Sequence, residues 1–176
     1  MKKSEELNNI TLQDIARKMV LAATTAPKGR GENNMVIAVT EPSEIKSIAA
    51  KLKEMGERYE YQTFIRDAEN ILKAQLMIIF GSRIKPMGLK KCGMCGFENC
   101  AEKDLHKNIP CVYNTGDMGI AMGSAISIAA DNRVDNRIMF TVGQAVMEMG
   151  LLGEGIKICY AIPLSATSKN PFFDRK

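Results

Sequence analysis

Gln75-Leu76-Met77-Ile78-Ile79-Phe80-Gly81-Ser82 is a short, continuous apolar run closed by a glycine and a serine. Such a run, bounded by turn residues, reads as a buried strand. Upstream, Pro42 and Ser43 open a helix to about Glu57, with Ile45, Ile48, Ala49, Leu52 and Met55 at helical spacing. Another helix is predicted from about Tyr61 to Ala74. Met35-Val-Ile-Ala-Val-Thr40 is a further buried strand. Before it, Asp14 to about Thr25 puts Ile15, Met19, Val20 and Ala22 on one face, and Thr11-Leu-Gln-Asp14 resembles a capping box. Downstream, 83–113 is irregular. Asp117 to Ala130 is a helix apolar nearly all round, which predicts a central buried position. A helix over about Val134 to Met149 and a strand over Ile156–Ala161 follow, and the tail from Pro163 lacks periodicity. The order predicts an α+β or α/β chain, a small sheet covered by helices.

The 176 residues suit one domain, 1–176, with 83–113 as a cysteine-rich stretch inside it. Lys and Arg number 24 against 20 acids, a mild excess of +4 that does not call for nucleic acid. No secretory signal is visible and no run is long enough for a membrane span, so the expected location is cytoplasmic. In that reducing setting, cysteines favour metal or catalytic roles over disulfides. The methionines read as adaptable core filling.

Cys92-Gly-Met-Cys95-Gly-Phe-Glu-Asn-Cys100 is followed by Cys111, a C-x2-C-x4-C-x10-C spacing. Four thiolates are what an iron–sulfur cluster needs, with 4Fe–4S the expected type. Gly93 and Gly96 permit positive φ and close backbone approach to a cluster. Pro110 stiffens the approach of Cys111. Tetrahedral zinc also accepts four cysteines and stays open as the competing metal. His106 reads as a solvated loop residue, and Cys159, in an apolar strand, as a small core residue. Lys85, Lys90 and Lys91 would favour thiolates and guide an acidic electron-donor protein, or serve as ordinary solvated lysines.

Other features are open to two readings. Lys28-Gly-Arg-Gly31 is a plain turn or a phosphate loop, though neither a Walker A nor a GxGxxG match. Gly119-Ile-Ala-Met-Gly123 with Ala125 and Ala129 is a packing face or a cofactor face. Asp131-Asn-Arg133 recurs as Asp135-Asn-Arg137, and ion pairs at a helix–helix junction are the default, with an arginine on a cofactor phosphate as the alternative. No serine–histidine–acid set can be assembled, so redox chemistry has more support than hydrolysis.

The chain resembles the bacterial and archaeal family of ferredoxin-domain-containing proteins of unknown function. The matching stretches are Ala26–Gly31, Cys92–Cys100, Arg133–Met139 and Ile162–Arg175. The cysteine run alone also resembles the cluster motif of corrinoid iron–sulfur proteins. The first helix with its Ala-Pro loop and strand, and the helix ending Met149-Gly150-Leu151 before a strand, resemble the flavin-dependent nitroreductases. That resemblance implies an α+β homodimer binding FMN at the subunit interface. Lys28, Arg30 and Asn33 would line the flavin, with Ser165 and Lys169 near it. One departure is that the basic N-terminal phosphate motif of those enzymes is not evident, since only Arg17 and Lys18 lie in the first helix. The function implied is an iron–sulfur protein of intracellular redox chemistry, as a cluster- and flavin-containing oxidoreductase. A non-enzymatic electron carrier or redox sensor, and a zinc-stabilised interaction module, are the alternatives.

Overall fold

The computed structural model describes residues 1–173. Asp174 and Arg175, the end of the matching tail, lie outside the described residues. The strands β1 (Met35–Val39), β2 (Leu76–Arg83), β3 (Asp135–Asn136) and β4 (Ile156–Ser165) form one antiparallel sheet in the order β1-β2-β4-β3. The helices are α1 (Ser4–Thr25), α2 (Pro42–Arg58), α3 (Gln62–Ile71), α4 (Cys100–Asp104), α5 (Val112–Asp131) and α6 (Phe140–Glu148).

Side chains of β2 alternate between two cores. Leu76, Ile78 and Phe80 pack with α1 and α5, while Met77 and Ile79 pack with α2, α3 and α6. Because both faces are covered, β2 is apolar without a break rather than alternating. Each Ile or Phe buried this completely contributes roughly 1.5–3 kcal/mol. On the second face, α6 reaches the backbone of β4. A Cβ at Gly143 would stand 1.8 Å from the Cys159 carbonyl oxygen, so only glycine fits.

Several elements differ from expectation. α1 starts at Ser4, which leaves the Thr11–Asp14 box inside the helix. The helix expected over 134–149 is a turn, the short β3 and then α6. Arg133 ends α5 in a left-handed conformation, φ 57°, and Asp135 and Asn136 then pair with Ser165 and Leu164. The repeated Asp-Asn-Arg therefore does not stack on continuous helix. Arg137 instead donates to the Phe172 carbonyl at 3.1 Å and stands 4.0 Å from the buried Asp67. Asp67 also accepts the Thr141 hydroxyl at 2.6 Å.

α5 is not buried all round. Met118, Ala121, Met122, Ala125 and Ala129 face the core, and Ser124 donates to the Ala22 carbonyl of α1 at 3.0 Å. The opposite side exposes Gly116, Gly119, Ile120, Gly123 and Ser127. Among the described residues, no other element comes within 4 Å of a Cβ built at any of these three glycines. Among the described residues, no helix is long and apolar enough to cross a membrane.

Candidate metal centre and its surroundings

Met35 pairs with Ser82, so β1 begins where β2 ends. The loop into β1 and the segment leaving β2 are neighbours for that reason. Gly29 donates its N–H to both carboxylate oxygens of Asp117, each at 3.1 Å. A Cβ at Gly29 would come 2.8 Å from Met87 and 2.9 Å from Tyr113, so the loop lies flat on the first turns of α5. Arg30, held at φ 55°, donates to the Met87 carbonyl at 3.0 Å. Lys85 pairs with Glu32 at 2.6 Å. The basic loop, the start of the cysteine segment and the N-terminal end of α5 thus form one assembly.

Asn114 closes the segment. Its Oδ1 accepts from Lys85 N–H at 3.2 Å and Cys111 N–H at 3.1 Å, and its Nδ2 donates to the Lys85 carbonyl at 3.2 Å. Cys111 takes the N-cap position of α5 and Asn114 the third helical position, with the reciprocal bonds of a capping box. Cys111 is buried by this arrangement. The N-terminal end of α5 carries partial positive charge, which suits a bound anion.

Cys92, Cys95 and Cys100 are half-buried, and all five cysteines are free thiols. Cys92 lies in irregular backbone, Cys95 in a turn, and Cys100 is the first residue of α4. Gly93 and Gly96 both stand at positive φ, 71° and 88°, with Gly96 N–H donating to the Gly93 carbonyl at 3.0 Å. No atom lies within 4 Å of a Cβ built at Gly96. Asn99 caps α4 through the Glu102 N–H at 2.9 Å. Among the described residues, no three His, Cys, Asp or Glu side chains stand close enough together to hold a metal ion. The 92–99 stretch holds no helix or strand, so gathering its thiols breaks no regular element.

His106 is exposed and stacks on Phe97, centroids 4.9 Å apart. Cys159 sits in the core, its thiol pushed up to about 12 by burial, so it stays protonated. Lys90 and Lys91 are exposed.

The five residues implied for a flavin fall into two groups. Lys28, Arg30 and Asn33 belong to the assembly just described. The Lys28 ammonium is engaged with the Ala23, Thr24 and Ala26 carbonyls at 2.9, 2.7 and 2.9 Å, closing the C-terminal end of α1. Burial there pushes its ammonium below the ordinary lysine value, partly offset by Asp117. Asn33 accepts from Met35 N–H at 3.1 Å. Ser165 closes β4 at the other end of the sheet and Lys169 lies beyond it, since Leu76 pairs with Leu164. Ser165 is buried beside Thr167 at 3.2 Å, and Lys169 lines a shallow pocket with Lys73, Thr167 and Pro171. From Ser82 back to Leu76 is roughly 20 Å along β2, so the two groups do not meet within one chain.

Two residues of the assembly and one of α4 are not legible as site residues in the sequence pattern. Asn114 has a faint signal, its spacing of three from Cys111 at a helix start. Asp117 has none. Lys103 in α4 has none either; it lies among acids and yet is fully buried, with no hydrogen-bond partner for its ammonium among the described residues.

A family model described as "Uncharacterized protein containing a ferredoxin domain (DUF2148)" matches residues 107–175. That stretch includes Cys111 and begins after the other three thiols. A protein of Archaeoglobus fulgidus, described as uncharacterized, is 34% identical over 178 residues, covering 97% of this chain and 95% of its own. A nitroreductase family protein from Clostridium novyi superposes with a TM-score of 0.61 at 17% identity, over 88% of this chain and 74% of its own. A nitroreductase from Bacteroides fragilis with bound FMN gives a TM-score of 0.64 at 10% identity, over 93% of this chain and 81% of its own. The likeness at these identities is one of fold, and the antiparallel sheet between two helical layers is a nitroreductase-type frame.

Proposed function

Because the chain belongs to the family of uncharacterized proteins containing a ferredoxin domain, we propose that it is a redox protein whose Cys92, Cys95, Cys100 and Cys111 thiolates hold an iron–sulfur cluster. The observation that carries this reading is the Asn114 bridge, which holds Cys111 against the residue where the cysteine segment leaves β2. The donor set fits the group. It offers four free thiols, and a turn at Gly93 and Gly96 whose open face a side chain would otherwise fill. A cluster bound there supplies one-electron transfer. The chain's own contribution would be to position the thiols and to present the positive end of α5. Zinc on the same thiols is the competing metal.

Two finer parts go with this reading. FMN is supported by the frame shared with the FMN-bound nitroreductase. A homodimer is supported by the glycine face of α5, where a built Cβ meets no other element within 4 Å among the described residues. The split of Lys28, Arg30 and Asn33 from Ser165 and Lys169 favours a second reading, an electron carrier or sensor with the cluster as its sole cofactor. An acidic protein would meet the exposed Lys90 and Lys91 as electron donor. The reading places the protein in a reducing, intracellular compartment, where free thiols persist.

The test is anaerobic purification followed by iron, zinc and acid-labile sulfide analysis and an absorption spectrum. Iron with sulfide, and a band near roughly 400 nm that dithionite bleaches, are expected of thiolate-held clusters. Cys95→Ser should abolish both, and Cys159→Ala should leave them. Zinc without iron would replace the reading with the zinc module. A flavin spectrum in the same sample decides between oxidoreductase and carrier.

A further inference from the structure

Resting on the cluster reading above, we infer that Lys103 is the built-in countercation of the cysteine segment, a positioning residue whose ammonium offsets the negative charge of a thiolate-bound cluster. Lys103 is 0% exposed, and its Nζ has no hydrogen-bond acceptor among the described residues. Lysine is almost never buried so completely unless paired. The other lysine drawn inward, Lys28, meets three carbonyl oxygens. The second orphan atom, Asn70 Nδ2, is a neutral amide and costs less to leave unpaired.

The acids beside Lys103 in the chain are engaged elsewhere. Glu102 accepts the Glu98 N–H at 2.8 Å, and Asp104 pairs with Lys107 at 2.7 Å. The Asp104 carboxyl is held below its ordinary value chiefly by that Lys107 hydrogen bond, with Lys103 a lesser influence across space. Lys103 follows Cys100 by one helical turn and precedes Cys111 in the same segment. Four thiolates around a cluster leave a net negative group, and reduction adds one more negative charge. A buried ammonium in the same segment stabilises the reduced state most, since its charge is poorly screened there. Without the bound group, the same ammonium destabilises the fold.

These effects have opposite signs, and a merely structural lysine would not produce both. The experiment compares wild type, Lys103→Met and Lys103→Arg, prepared anaerobically, by iron and sulfide content, by reductive titration with dithionite and mediator dyes, and by thermal melting of the metal-free protein. We expect Lys103→Met to lose tenfold or more in the one-electron reduction equilibrium, a downward shift of about 59 mV or more. Lys103→Arg should stay near wild type, and metal-free Lys103→Met should melt above metal-free wild type. Equal potentials in wild type and Lys103→Met at equal iron content overturn the inference and leave the cluster reading standing. So does a Lys103→Met protein that melts lower or fails to fold without metal. If wild type takes up no iron and sulfide, both fall together.

Discussion

Asn114 grips Lys85 by both backbone groups, taking its N–H and giving to its C=O, each at 3.2 Å. The same side chain accepts the Cys111 N–H. One buried amide thereby ties the exit of β2 to the entrance of α5, and everything between them is the cysteine segment. Asn114→Ala removes three bonds and leaves inward-facing backbone groups unpaired, so we expect a loss of about 2–3 kcal/mol. The urea midpoint should fall with an unchanged slope. Asn114→Asp keeps the acceptor and loses the donor, and should fall between the two. If Asn114→Ala matched wild type in both stability and iron uptake, the bridge would have no role in closing the segment.

Gly143 marks where α6 meets β4. The Cys159 carbonyl is backbone and cannot step aside from a methyl group placed 1.8 Å away. Gly143→Ala should therefore cost about 3 kcal/mol or more, against the usual gain for alanine inside a helix. Gly123→Ala is the control, in the open on α5, and is expected to leave the isolated chain as stable or more so. Paired denaturation curves compare the two.

The same glycine face tests the dimer. Gly116, Gly119 and Gly123 line one side of α5 with Ile120 half exposed among them. Small residues there permit close backbone approach by a second copy. Sedimentation of wild type should report a dimer, and Gly123→Leu should shift it to monomer while far-ultraviolet circular dichroism stays the same. A wild-type monomer at high concentration would remove the proposal.

Glu148, near the end of α6, bridges to Arg58 at 2.7 Å and Lys51 at 2.8 Å of α2. The Arg58 hydrogen bond first, and then Lys51, hold its carboxyl below the ordinary 4.5. A carboxyl lowered by folding stabilises the protein above its unfolded value, and that contribution is lost as pH falls through the folded one. The melting temperature of wild type should exceed that of Glu148→Gln near neutral pH. The gap should close as pH falls below 4.5. A gap that did not change with pH would contradict this.

Thiol reactivity should follow burial. In metal-free protein at mildly alkaline pH, iodoacetamide should modify Cys92, Cys95 and Cys100 quickly and leave Cys111 and Cys159 largely intact. Cys159 is protected twice, by access and by a thiol pushed up to about 12. Peptide mass spectrometry over time reads the order directly.

Much of this architecture is visible in local patterning. β1, β2 and α2 were expected within a few residues of where they lie, because an apolar run or a helical stripe is itself the record of which side chains are buried. The thiol spacing is equally local. The region after α5 departs from its local pattern for an identifiable reason. Val134 to Met149 carries helical composition, but Arg133 turns left-handed and β3 is only two residues long. A strand so short has no periodicity of its own and exists because β4 offers it a partner. Likewise, the apolar α5 hid an exposed side, since glycine counts as neither buried nor open until its neighbours are known.

By itself, then, the sequence determined a small sheet covered by helices, most of the strands and helical faces that build it, and a set of four thiols suited to a cluster. These follow from spacing along the chain. The tertiary structure decided what depends on distance across it. It placed Lys28, Arg30 and Asn33 beside the cysteine segment and Ser165 and Lys169 at the far end, because antiparallel pairing of β2 with β4 sets Leu164 opposite Leu76. It chose Asn114 as the bridge from Lys85 to Cys111, and it buried Lys103 without a hydrogen-bond partner among the described residues. Composition cannot foretell that burial, since a lysine among acids is ordinarily a solvated one.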